Sequence, residues 1–188
     1  MSTYDVVLAG LGGQGILMAS KIMMEQAIQS GLPVRGAETH GMAQRGGSVV
    51  AHVRIGDCHG SEVLPRHAHL LWALDPFEGM RALRFLRPGG TLLVNTEDPA
   101  RIDKGVRAYV TRLDAMIVAI SATTIAQEVN NLRATNMALL GAACRLGESP
   151  FDLESISAAV RALIKPRFHA SSLEALRLGA ERCQDTGA

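Results

Sequence analysis

The sequence predicts an α/β fold with a Rossmann-like, mainly parallel sheet, flanking helices and a helical C-terminal segment. Residues 6–9 form a short, continuous apolar run, which suits a parallel strand covered on both faces. Apolar residues then recur every three or four positions from Ile16 to Ala27, as in an amphipathic helix, and Gly31 is a stop signal. Strand-like and helix-like stretches alternate over the first three-quarters of the chain, and the last quarter is helical. This order is typical of βαβ units followed by packed helices.

Similar patterns place the other elements. Further strands are predicted at 34–37, 48–55, 69–74, 91–95 and 116–118, with short extended pieces at 60–63 and 109–110. Helices are predicted at 77–86, 123–146 with a break near 130–135, 152–164, and from Ser171 or Ser172 to about Cys183. Strand 48–55 alternates apolar and polar residues, so we expect it to be half exposed and antiparallel. We expect one domain over residues 1–188, with an α/β core to about 146 and C-terminal helices over about 150–183.

Composition excludes several functional classes. The formal net charge of +1 and seven aromatic residues (one Trp, two Tyr, four Phe) argue against a nucleic-acid partner. No apolar run is long enough to span a bilayer and no signal peptide is evident, so we expect a cytoplasmic protein without a membrane partner. Cys58, Cys144 and Cys183 are far apart, so we expect reduced thiols and no metal or iron–sulfur site within this chain. The sequence also lacks a familiar catalytic motif, and we predict no catalytic residue.

A first glycine-rich loop joins the first strand to the first helix. Gly10, Gly12 and Gly15 match the G-x-G-x-x-G pattern, and Gly13 and Gln14 lie between them. Glycines allow a tight turn and a close approach to the backbone, and the N-terminus of the helix favours an anion. The pattern indicates either a cradle for a phosphate or carboxylate, or a turn that only packs.

A second loop follows the strand at 34–37. Glu38 lies about 20 residues beyond the first loop, where a dinucleotide-binding domain places the acidic residue that binds ribose. Residues 39–48 then offer Thr39, His40, Gln44, Arg45 and Ser48 among several glycines. Such a loop is either a binding site or a solvated connection. Four residues follow predicted strand ends and are expected to line one edge of the sheet: Gly12, Glu38, His40 and Asp75. Asn95 also follows a strand, and it either lies at the same edge or serves only in a turn.

The two loops together resemble the gamma-type domain of the 2-oxoacid:ferredoxin oxidoreductases. The matching segments are 10–15 and 38–48, with further support from 86–95 and 136–141. The form of the second loop, Thr-His-Gly-Met-Ala-Gln-Arg-Gly-Gly, is closest to the beta subunit of the indolepyruvate type of this family.

This resemblance implies a division of labour between subunits. A large alpha-type partner is expected to carry thiamine diphosphate and iron–sulfur clusters, and the complex to convert an aryl 2-oxoacid into an acyl-coenzyme A while reducing ferredoxin. The present chain is then linked to coenzyme A as co-substrate, is inactive alone, and binds no cofactor by itself. Both loops are expected to face the shared cleft, with Arg45 supplying charge to a phosphate or carboxylate.

Two other functions stay open at this level. The chain could be a stand-alone reductase that binds a nicotinamide or flavin nucleotide, with Glu38 on the ribose. It could also be a scaffold whose loops only contact a partner. Whether the isolated chain forms a homodimer, and which 2-oxoacid is used, is not predicted by the sequence.

Overall fold

A computed structural model of the protein describes residues 3–40, 46–147 and 149–185. Within these residues a seven-stranded mixed sheet has the strand order β2-β3-β1-β4-β5-β6-β7. The strands are β1 (Tyr4–Leu11), β2 (Val34–His40), β3 (Ser48–Ile55), β4 (Ala68–Ala73), β5 (Leu86–Asn95), β6 (Met116–Ile120) and β7 (Gln184–Asp185). The helices are α1 (Ile16–Gln29), α2 (Pro76–Ala82), α3 (Lys104–Arg112), α4 (Ala122–Glu128), α5 (Thr135–Ala143), α6 (Leu153–Leu163) and α7 (His169–Glu181).

The centre of the sheet is parallel, as predicted. Strands β1, β4, β5 and β6 pair parallel to one another in that order. Strand β3 is antiparallel to both β1 and β2, and β7 is antiparallel to β6. The α/β prediction is therefore confirmed, and so is the antiparallel setting of residues 48–55.

The apolar run in β1 is continuous because helices cover both faces of the sheet. Val6 and Leu8 belong to a core shared with α1, α5, α6 and α7. Val7 and Ala9 belong to a second core on the opposite face, beneath α2 and α3. Successive side chains of a strand point to opposite faces, so neither set could be polar. None of the helices in the described ranges is long and apolar enough to cross a membrane.

The connections reverse direction between β1 and β4. From β1 the chain passes through α1 toward the β2 edge, whereas from β4 it passes through α2 and α3 toward β6. Helix α1 packs on one face of the sheet, and α2 and α3 pack on the other. The carboxyl ends of β1 and β4 are therefore a topological switch point, the usual place for a ligand in an open α/β sheet.

Several predicted boundaries were wrong, for identifiable reasons. Residues 109–110 lie in α3, because Asp103 caps that helix and accepts hydrogen bonds from Gly105 N and Val106 N. Residues 60–63 form no strand. Helix 77–86 ends earlier, at Ala82, and a 3₁₀ turn (Leu83–Phe85) leads directly into β5.

Two further corrections concern the start of helix α7 and the end of strand β2. Helix α7 begins at His169, so neither Ser171 nor Ser172 is its cap. Strand β2 continues three residues beyond the predicted 34–37, since its pairing with β3 extends to His40. Asp75 and Asp152 cap the helices that follow them: Asp75 accepts hydrogen bonds from Phe77 N and Glu78 N, and Asp152 accepts one from Ser155 N.

Histidine 52 should make the folding stability depend on pH. Its Nδ1 accepts a hydrogen bond from Val63 N at 3.0 Å, and burial lowers the pKa of His52 below its ordinary value of 6.5. Below about pH 6.5 the unfolded chain binds the proton while the folded chain resists it, so the free energy of unfolding falls as pH drops, by at most about 1.4 kcal/mol per pH unit.

Urea unfolding of the wild type, His52→Asn and His59→Asn at several pH values checks this expectation. The amide oxygen of asparagine takes the place of Nδ1 and can still accept from Val63 N, but it does not titrate, so His52→Asn should flatten the pH dependence. The exposed His59 provides the matched control, which should follow the wild type. A His52→Asn variant with the wild-type slope would assign the pH dependence to other groups.

Candidate functional site

A cavity of about 640 Å³ lies at the switch point. Residues from the carboxyl ends of all four parallel strands line it: Gly13, Gln14 and Gly15 after β1, Leu74 after β4, Asn95 at the end of β5 and Thr123 after β6. The other wall comes from the helical C-terminal half, from the 3₁₀ turn before α5, from α5 itself and from the connection between α6 and α7. The fold therefore places the first glycine loop opposite residues that are more than 100 positions away in sequence.

The first loop is a tight turn held by its own backbone and by Gln14. Gln14 N donates to Leu11 O at 3.1 Å, and the Gln14 side-chain oxygen accepts from Leu11 N at 2.7 Å. Gly13 and Gly15 have positive φ angles of 98° and 87°, which favour glycine. Gly15 is the N-cap of α1 and contributes no side chain to cap the helix. The positive end of the α1 dipole thus lies beside the cavity.

Asn136 fixes the end of this loop from the opposite wall. Its Nδ2 donates to Gly15 O at 3.1 Å, and a Cβ atom at Gly15 would lie 2.6 Å from that nitrogen. Asn136 is only 3% exposed, and its Oδ1 is buried without a hydrogen-bond partner among the described residues. An unsatisfied buried acceptor costs about 1–3 kcal/mol. The fold bears this cost at the position where Asn136 holds the end of the loop.

Asn95 ties the other strand ends together. Its Nδ2 donates to Leu74 O at 3.1 Å and to Thr123 Oγ1 at 3.0 Å, and its Oδ1 accepts from Thr123 N at 3.2 Å. The sequence left its role between a turn and the edge of the sheet. The structure places it on that edge, where it lines the cavity.

The two glycine loops lie side by side. Gly12 N donates to Gly47 O at 2.8 Å, and Gly46 N donates to Gly12 O at 3.3 Å. Leu11 and Ser48 are also paired across β1 and β3. The prediction that the loops meet at one edge of the sheet is therefore supported by direct hydrogen bonds between them.

The predicted residues of the second loop do not all join the cavity. Ser48 and Thr39 lie at the ends of β3 and β2, outside the cavity wall, and Ser48 Oγ donates to Glu78 Oε2 at 2.5 Å. His40 is the last residue of β2. Gln44 and Arg45 lie outside the described residues, so their role stays a prediction.

Glu38 differs from the acidic residue of a dinucleotide site in its position. It lies on β2, and β3 separates β2 from β1. Its side chain accepts a hydrogen bond from Ser20 Oγ, on α1, at 3.5 Å. In a dinucleotide fold the second strand is adjacent to the first, so the ribose-binding residue lies closer to the glycine loop than Glu38 does here.

The cavity is lined by both cationic and apolar side chains. Arg133 and Lys165 line it, and none of the described lining residues is acidic. Apolar side chains complete the walls, among them Met18, Leu132, Leu163 and Phe168. Such a lining suits an elongated ligand with phosphate groups at one end and less polar parts beyond them.

Sequence reasoning missed Arg133 and Lys165. Each lies beside a helix break, before α5 or before Pro166, where the chain pattern indicates only a connection. The sequence offered one signal for them: a basic residue stands at each of these two helix breaks.

Cys144 and Cys58 are not suited to act as nucleophiles. Burial raises the pKa of the Cys144 thiol to about 12, so it stays protonated at neutral pH. Cys58 is buried. In the part of the chain that the structure describes, no group of three or more His, Cys, Asp and Glu side chains could hold a metal ion.

The fold and the paired glycine loops define a class of protein. Residues 5–182 match the model of the pyruvate ferredoxin/flavodoxin oxidoreductase family, and the chain belongs to that family. The resemblance inferred from the two loops is thus confirmed.

The relatives narrow the class to subunits of oxidoreductases. The chain is 33% identical over 186 residues to the indolepyruvate oxidoreductase subunit IorB of Archaeoglobus fulgidus, covering 93% of this chain and 92% of the relative. It is 32% identical to the IorB subunit of Thermococcus kodakarensis, with 98% of each chain covered. A pyruvate/ketoisovalerate oxidoreductase common subunit gamma from Thermococcus litoralis is 29% identical, with 84% of each chain covered.

Solved structures agree. The pyruvate oxidoreductase subunit PORC of Thermotoga maritima superposes with a TM-score of 0.80 at 26% identity, covering 99% of both chains. A 2-oxoglutarate:ferredoxin oxidoreductase from Magnetococcus marinus, with 2-oxoglutarate, coenzyme A and succinyl-CoA bound, shares the fold with a TM-score of 0.74 at 20% identity. There the match covers 96% of this chain but 31% of the larger chain.

Proposed function

We propose that this chain is a subunit of an indolepyruvate-type 2-oxoacid:ferredoxin oxidoreductase. Its identity to two IorB subunits over nearly the whole length supports the indolepyruvate type. A larger partner subunit would bind thiamine diphosphate and the iron–sulfur clusters, and the complex would work in the cytoplasm. The 2-oxoacid loses carbon dioxide, its acyl group forms a thioester with the thiol of coenzyme A, and the electrons released reduce ferredoxin.

The contribution of this chain is to hold coenzyme A. The observation that carries this proposal is the cavity at the switch point, which is lined by the first glycine loop and by the cations Arg133 and Lys165. Phosphate groups would lie near the two cations and the N-terminus of α1, which has 14 residues and a glycine N-cap. The less polar arm of coenzyme A would follow the apolar wall toward the partner, where the thiol accepts the acyl group.

The loop glycines permit this approach because they remove side chains from the path. A Cβ atom at Gly13 would meet nothing within 4 Å in the free chain, so the space beside the loop is open to an outside group. Asn136 keeps the loop end in place through Gly15 O. We expect the second loop, which is hydrogen-bonded to the first, to complete the site from the partner side through Arg45 and Gln44.

Removing the two cations tests the proposal. In the complex reconstituted with the large subunit, the double variant Arg133→Ala/Lys165→Ala should raise the KM for coenzyme A by about tenfold or more, because charge-assisted contacts to phosphate contribute about 1.5–3 kcal/mol before solvent screening. The KM for the 2-oxoacid and kcat at saturating coenzyme A should stay near the wild-type values. Steady-state rates of ferredoxin reduction give all three quantities.

Lys21→Ala is the matched control, since Lys21 is an exposed cation on α1 that does not line the cavity. An unchanged KM for coenzyme A in the double variant would place the co-substrate elsewhere. Poor assembly with normal use of coenzyme A once assembled would instead make this region an interface.

A further inference from the structure

An exposed face of helix α2 combines apolar and cationic side chains. Phe77, Met80 and Arg81 follow the i, i+3, i+4 spacing that places residues on one side of α2, and Arg84 follows in the 3₁₀ turn after the helix. Phe77 is 73% exposed and Met80 is 41% exposed. Arg81 and Arg84 are exposed as well. We call these four residues the α2 face.

The helix cannot turn this face inward. Its opposite side is buried through Glu78, Gly79 and Ala82. Gly79 packs so closely on the sheet that a Cβ atom there would lie 2.7 Å from Ala73 Cβ. The N-terminus is fixed by Asp75, whose Oδ1 accepts from Phe77 N and Glu78 N. The backbone of Phe77 is therefore fixed by the rest of the helix, and its side chain lies in solvent.

Hydrogen bonds through Glu78 connect the α2 face to the end of the second glycine loop. Glu78 is 5% exposed; its Oε2 accepts from Ser48 Oγ at 2.5 Å, and its Oε1 accepts from Arg81 Nη1 at 3.1 Å. Ser48 begins β3 directly after the loop. A protein bound to the α2 face would thus also position the end of the loop that pairs with Gly12.

We propose that the α2 face is a docking surface for the large subunit of the complex, with Phe77 as the anchor that enters an apolar pocket rimmed by carboxylates. This inference rests on the proposed function. The curated relatives are named as subunits, so a surface of this chain must be covered by another protein in those complexes. A large, rigid aromatic side chain beside arginines has the composition of an interface hot spot.

Charge favours a different protein over a second copy of this chain. In a two-fold contact the same patch meets itself, so Arg81 and Arg84 of one copy would lie close to the same arginines of the other. Like charges brought together in this way disfavour association. A partner with an acidic rim around an apolar pocket would bind the apolar side chains in the pocket and the arginines at the rim.

Binding measurements with the large subunit test the docking surface. Phe77→Ala should raise the Kd for the large subunit by about tenfold or more, because anchor residues dominate interface energetics. Ile28→Ala is the matched control: Ile28 is 59% exposed on α1, away from α2, and its removal should change the Kd by less than about twofold. Arg84→Gln should weaken binding at low salt and reduce its dependence on salt concentration. Thermal melts should show unchanged folding, since Phe77, Ile28 and Arg84 are exposed; Arg81 is left in place because it pairs with the buried Glu78.

Several outcomes overturn the proposal. One is a Kd of Phe77→Ala equal to that of Ile28→Ala within about twofold. Another is loss of self-association by Phe77→Ala with full affinity for the large subunit, which would assign the face to a second copy. The docking and coenzyme A proposals fail separately: Phe77→Ala at saturating concentration should show a normal KM for coenzyme A, whereas Arg133→Ala/Lys165→Ala should assemble normally.

Discussion

Replacing Gly141 with alanine should lower the free energy of unfolding by about 3 kcal/mol or more, because α5 and α7 touch backbone to backbone at this point. A Cβ atom at Gly141 would lie 1.9 Å from Leu176 O and 2.9 Å from Ala180 N. Gly179 on α7 makes the reciprocal approach, with its Cβ position 1.9 Å from Ala138 O. No side-chain rotation can relieve a clash with backbone atoms, so the helices must separate.

Urea unfolding followed by circular dichroism measures this loss. Gly147→Ala provides the control, since nothing lies within 4 Å of its Cβ position and its φ is not in the left-handed region. That variant should stay within about 0.5 kcal/mol of the wild type. Alanine normally stabilises a helix by about 1 kcal/mol relative to glycine, so a Gly141→Ala variant as stable as the wild type would show that the two helices are not in backbone contact.

The same contact matters for the site. Helix α5 carries Asn136, and the connection preceding α7 carries Lys165, so both walls of the cavity depend on how closely these helices pack.

Replacing Arg54 with methionine should cost about 3–5 kcal/mol of stability, because it leaves a buried carboxylate without its partner. Asp5 is 3% exposed, and Arg54 donates to its two carboxylate oxygens from Nε at 2.7 Å and from Nη2 at 3.2 Å. The two residues are paired across β1 and β3. Arg54 also donates to Gly60 O and Glu62 O, so it holds the segment after β3 against the sheet.

The double variant Asp5→Val/Arg54→Met separates these contributions. Removing both members of a buried ion pair is often close to neutral, so the double variant should regain most of the stability lost in Arg54→Met. Equilibrium unfolding of both variants gives the difference. A double variant no more stable than the single one would attribute the loss to the contacts with the loop at Gly60 and Glu62.

The strands were largely predictable because their side chains are constrained on both faces. Residues 6–9 form a continuous apolar run for this reason, and the predicted strand at 48–55 matches β3 to the residue. Helix α2 shows where such reasoning fails. Phe77, Met80, Leu83 and Leu86 have helical spacing, yet Leu86 is buried in β5 while Phe77 and Met80 are exposed, since the chain leaves the helix after Ala82. Spacing alone does not say where a helix ends or which side meets the sheet.

Only the glycine-loop part of the candidate site was predictable from the sequence. The glycine loop is a local motif, and its turn and helix N-terminus follow from residues 10–15. Asn136, Arg133 and Lys165 reach the same cavity through tertiary packing, and the contact from Asn136 to Gly15 spans 121 positions. A single sequence contains no signal that joins positions so far apart.

Reconstitution with the large subunit tests the central claim most directly. Reduction of ferredoxin is measured with an aryl 2-oxoacid and coenzyme A for this chain alone, for the large subunit alone and for the two together. We expect turnover that depends on coenzyme A only for the complex, with the KM for coenzyme A raised by Arg133→Ala/Lys165→Ala. Turnover by this chain unaided, or a complex in which that variant uses coenzyme A as the wild type does, would contradict the account.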